Sequence, residues 1–101
     1  VQPISVRTLT TEAQLVSGGC VLHSWNVRET TGAAGGVVEI YDGSSNQGQF
    51  LGTIGVGNGS FGAVAFSEHG VDVLSGIHAH IVTGSMDVIV YVELLPPAGA
   101  E

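Results

Sequence analysis

His78 and His80 are the residues whose type and spacing come nearest to chemistry. On a strand, side chains two apart leave the same face, so two imidazoles can converge on one ion. A third ligand would have to come from His69, His23, Glu68 or Asp72, and no other element completes a zinc pattern. Ile77, Ala79 and Ile81 alternate with the two histidines and read as the buried face. That turns His78 and His80 toward solvent or a partner. The sequence therefore predicts no bound metal and no cofactor, and assigns the pair to a subunit contact. Histidines clustered there would take up protons in mild acid and weaken that contact.

The remaining motifs fail on context. Gly57-Asn-Gly-Ser-Phe-Gly62 spells G-x-G-x-x-G, but the dinucleotide fingerprint needs a helix after it, and here another alternating run follows. The stretch reads as a turn. Gly-x-Ser-x-Gly does not occur. Asp42-Gly-Ser-Ser-Asn46 offers oxygen ligands but lacks the EF-hand loop pattern, and turn chemistry accounts for it. Nine acids always permit some carboxylate pair, so that signal names no glycosidase. Cys20, in the apolar run Cys-Val-Leu, reads as a small buried hydrophobe. Trp25, Tyr41 and Tyr91 would form a sugar-stacking platform if exposed; Trp25, among Val21, His23 and Val27, reads as core or interface. No catalytic residue is assigned, and the chain reads as a non-enzyme.

Composition narrows the partners. The 101 residues suffice for one domain, whose core buries about two-thirds of the unfolded surface. Only 11% of residues are charged while 44% are apolar, so part of the outer surface reads as made for contact rather than for water. The net charge is −7, and Arg7 and Arg28 are the only basic residues besides histidine. Nucleic acid and anionic membranes are excluded as partners, because both need clustered Lys or Arg. A single cysteine rules out an intrachain disulfide. No apolar run approaches the roughly 18 residues of a membrane span, and Val1-Gln-Pro-Ile4 lacks the regions of a signal peptide.

The elements that position these residues are strands. Val37 to Tyr41 and Phe50 to Ile54 alternate on either side of a polar turn, which is a hairpin signal. Met86 to Glu93 alternates as clearly. Cys20 to Thr31 is a long strand of imperfect alternation, expected to bend or change sheets midway. Phe61 to Phe66, Ile77 to Val82 and a short piece at Val71 to Val73 complete the set. Val1 to Leu9 reads as an arm leading into a strand, and Thr10 to Gln14 as a connecting loop. About seven or eight strands with turns every 8–12 residues predict an all-β antiparallel sandwich of jelly-roll type. The expected division is an arm with first strand over 1–14, a sandwich over 15–95 and a tail over 96–101.

Three runs together carry a family resemblance: V-E-I-Y-D-G-S-S-N-Q-G-Q-F-L-G-T-I, then F-G-A-V-A-F, then G-V-D-V-L-S-G-I-H-A-H-I-V-T-G-S-M-D-V-I-V-Y-V-E. Spread over residues 20–94, they resemble the small β-sandwich structural proteins of tailed bacteriophages. The resemblance implies a virion protein of the capsid decoration (cement) type. It would sit on the capsid surface as a homo-oligomer, often a trimer, bound to the major capsid protein and without catalytic residues. A tail- or fibre-associated module that binds carbohydrate or a receptor is the alternative. Ile4, Val6 and Arg7 of the arm, with His78 and His80, are the interface residues this reading names.

Overall fold

In the computed structural model, which describes residues 1–95, nine strands account for the fold. They are β1 (Gln2–Leu9), β2 (Glu12–Ser17), β3 (Cys20–Glu29), β4 (Gly36–Asp42), β5 (Gln49–Val56), β6 (Phe61–Ala65), β7 (Val71–Val73), β8 (Gly76–Thr83) and β9 (Met86–Leu94). The expected tail over 96–101 lies outside the described residues.

Two antiparallel sheets form. The first runs β1-β9-β3-β6, with β7 also on β3; the second runs β2-β8-β4-β5. Successive strands mostly change sheets, so almost every pairing joins distant stretches of chain. The exception is the β4–β5 hairpin, in which Val38 faces Ile54. This is the double-sheet jelly-roll arrangement. The all-β sandwich read from the sequence is therefore the fold, with nine strands in place of seven or eight.

The extra strand is β2. The expected loop at Thr10 to Gln14 gives way to a strand from Glu12 that pairs with β8 as an edge. Its alternation is interrupted where the register shifts between Gln14 and Val16, so period two does not run long enough to read. The stretch expected as an arm is β1, docked along β9 from Gln2–Val92 to Leu9–Met86. β2 runs through the expected boundary between residues 14 and 15.

β3 bends as expected, through a register shift between Leu22 and Ser24. Before it, Cys20 and Leu22 point inward; after it, Trp25, Val27 and Glu29 do. The same shift divides the edge of β3, with β7 on Cys20–Leu22 and β6 on Ser24–Arg28. Between the sheets, Met86, Val88, Val90 and Val92 of β9 meet Val38 and Ile40 of β4 and Ile77, Ala79 and Ile81 of β8. These side chains are buried because period two gives each strand one apolar face, and two such faces close on each other.

Candidate functional site

The outer face of the second sheet carries the histidine pair. Cross-strand register places Gln14, His78, Tyr41 and Phe50 in one row, and Glu12, His80, Glu39 and Thr53 in the next. Ile77, Ala79 and Ile81 do form the inner face. His78 nevertheless does not face solvent: only 4% of the residue is exposed. β2 covers it. Gln14 Oε1 lies 3.0 Å from His78 Nδ1, and Glu12 Oε1 lies 3.3 Å from Nε2. His80 is partly exposed, with Nδ1 3.9 Å from the other oxygen of Glu12. On the far side Tyr41 donates its hydroxyl to Glu39 at 2.7 Å, which pushes the phenol's ionisation up, and packs edge-on against Phe50.

The two imidazoles thus converge, as the spacing predicts, but on a carboxylate. Among the described residues no group of three or more His, Cys, Asp or Glu is arranged to hold a metal ion. The four third ligands considered lie elsewhere: His23, beside Glu93, and Asp72, on β7, belong to the first sheet, and His69 stands beside Glu68 in a loop.

The interface residues named on the arm divide. Arg7 is exposed, whereas Ile4 and Val6 are partly buried and pack against the core. Trp25 is 1% exposed and offers no stacking surface. Cys20 is fully buried; burial, and then the Asp42 carboxylate, push its thiol up to about 11, which keeps it protonated and inert.

Sequence reasoning passed over two carboxylates that fasten the loops. The Glu29 carboxylate accepts from the Thr31 hydroxyl at 2.7 Å, the Thr31 amide at 2.9 Å, the Gly32 amide at 2.7 Å and the Gly59 amide at 3.0 Å. The Thr31 hydroxyl and amide, with the two glycine amides, hold this carboxyl down to about 2. At the other end of β4, Asp42 accepts from the amides of Leu74 and Ser75 at 2.9 and 2.8 Å. Both are structural fastenings. The local half of the Glu29 arrangement, an acid two and three residues before its donors, was readable; the Gly59 half was not.

The outer face of the first sheet is the other candidate surface. One cross-strand row is Pro3, Tyr91, Ser24 and Ala65; the next is Ser5, Ile89, Asn26 and Ala63. Neither row contains a charged side chain. Charge gathers beyond them, where Arg28 pairs with Asp87 at 3.2 Å and Phe61 is 78% exposed. Asp87 also accepts from the amide of Thr8, a non-glycine residue with φ 53° at the register shift in β1. No protein-family model matches the chain, and no curated protein sequence matches it.

Proposed function

We propose that this chain is a non-enzymatic virion structural protein that decorates and reinforces a phage capsid as a homo-oligomer. The observation that carries the reading is the pair of uncharged, small-residue rows at the centre of the first sheet's outer face, with Ile89 and Tyr91 in their middle. Interface centres are depleted of charge and enriched in aromatic side chains, whereas a face made only for water is not. The family resemblance adds the capsid as the surface it meets. Apolar burial stabilises by roughly 25 cal/mol per Å², so a modest contact repeated over a lattice reinforces the whole shell.

The test is reconstitution. Capsids stripped of the protein are heated or osmotically shocked with and without it added back. Added protein raises resistance, and Ile89→Glu, placed on the uncharged row, abolishes binding while circular dichroism stays native. Unchanged resistance on adding the wild-type chain would sink the proposal. Sedimentation of the free chain reads its oligomeric state, for which a trimer is expected. A carbohydrate-binding module is the second reading, favoured by the edge-on Tyr41–Phe50 pair with Phe50 52% exposed. Binding on a glycan array that is lost in Phe50→Ala would support it instead.

A further inference from the structure

Gln14 settles the protonation pattern of His78. Its side-chain amide nitrogen donates to the carbonyls of Val16 at 2.7 Å and Gly43 at 2.8 Å. A flipped amide would set its oxygen against two carbonyl oxygens, so the orientation is fixed. Oε1 can then only accept, and the His78 nitrogen 3.0 Å away, Nδ1, must be the one that donates. Neutral imidazole carries one hydrogen. With it on Nδ1, Nε2 presents a lone pair, and Glu12 Oε1 lies 3.3 Å from that nitrogen, out of line for a hydrogen bond. Nε2 is buried and has no hydrogen-bond partner, and the same holds for His80 Nδ1 beside the other Glu12 oxygen. Two acceptors this close repel, with the ring nitrogens buried and the Glu12 side chain 54% exposed, whereas a proton on the ring turns the repulsion into the attraction of an ion pair.

We propose that Glu12, His78 and His80 form a proton-operated clamp, in which His78 carries hydrogen on both ring nitrogens and pins edge strand β2 to β8. The groups facing the pair are Glu12 and Gln14 from β2, and Glu39 and Tyr41 from β4. Tyr41 already donates to Glu39, so Glu12 is the carboxylate in contact with both rings. Proton uptake therefore has a partner inside the chain. Its sign is the reverse of the acid weakening expected for histidines at a subunit contact. The Glu12 contact with the two rings exists only in the folded chain, so a charged ring is held there and a neutral one is not. The clamp does not depend on the capsid reading.

The experiment is urea unfolding of the full chain in EDTA at about pH 5.5 and about pH 8, which bracket the range where histidines change charge. Wild type is compared with Glu12→Gln. A glutamine amide can donate to the lone pair of neutral Nε2 but offers a charged ring only a neutral acceptor, without the ion pair. The variant is therefore expected below wild type at the lower pH and level with it or above at the higher, so that the two pH profiles cross. Profiles that run parallel overturn the clamp, because lost packing would act equally at both. A wild-type midpoint that moves when EDTA is replaced by zinc also overturns it, since the slot then holds a metal. If the variant does not fold, ring nitrogen shifts of wild-type His78 decide. Both nitrogens protonated at the lower pH, with hydrogen kept on Nδ1 at the higher, supports the proposal. Hydrogen on Nε2 alone at the higher pH refutes it.

Discussion

Replacing Trp25 with alanine removes the largest of the fully buried side chains from the middle of β3. The indole stands between Val90 of β9 and Val64 of β6 in its own sheet and reaches across the sandwich to β5. There a Cβ built on Gly52 would lie 3.5 Å from its Cζ2. Gly52, facing the ring, has no side chain to follow it when it is removed. Truncating a buried aromatic of this kind costs about 3–5 kcal/mol. A domain of this size is stable by roughly 5–15 kcal/mol, so Trp25→Ala removes about a fifth or more of the total. The thermal midpoint is expected to fall by at least roughly 12 °C. Urea unfolding followed by far-ultraviolet circular dichroism reads the change, since the substitution removes the fluorophore. The midpoint should drop while the slope with denaturant stays the same. Gly52→Ala is expected to be tolerated, because its methyl would sit at ordinary contact distance. A loss below about 1 kcal/mol for Trp25→Ala would refute the packing argument, since solvent-facing substitutions stay near that range.

Two further predictions concern loops and turns. The Glu29 carboxyl is held down to about 2 from an ordinary 4.5, so its stabilising contribution is complete above the ordinary value and is lost as pH falls through the depressed one. Acid unfolding between about pH 4.5 and about pH 2 should therefore be shallower in Glu29→Gln than in wild type; identical acid curves would remove the Glu29 fastening from the account. Gly76 has φ 115°, and an added Cβ would fall against the Val16 carbonyl, so Gly76→Ala should cost more than about 1 kcal/mol by thermal melting.

Much of the sandwich was readable because period two survives wherever a strand pairs without interruption. Met86 to Glu93 and the β4–β5 hairpin show it plainly. The strand that was missed traces to a register shift: at Gln14–Val16 the shift hides β2. Another, at Leu22–Ser24, moves β3's inward face from the Cys20 and Leu22 set to the Trp25 and Val27 set, which is the imperfect alternation the sequence displays. The first of these explains the misjudged His78. Its face was read correctly, but the strand that covers it was taken for a loop, so a buried imidazole looked like an exposed one. The Glu29 fastening was hidden for another reason, since Gly59 reaches it only after the chain has turned through β4 and β5. Contacts between distant loops leave no periodic trace.

The order of strands in the first sheet also governs when this chain can fold. Among the described strands β1 pairs with β9 alone, and Gln2 waits for Val92 to be made. Of the pairings among the described residues, the β4–β5 hairpin alone can close from local sequence. Closing long loops must precede the contacts that reward it, which makes such topologies slow to fold and leaves apolar strand edges open meanwhile. During synthesis β1 therefore emerges with Ile4 and Val6 uncovered and keeps them so until nearly all of the described chain is out. Low charge, which suits the finished outer face, gives that waiting strand little protection from its neighbours. Yield of folded protein should thus be set by conditions during synthesis more than by the stability of the finished sandwich.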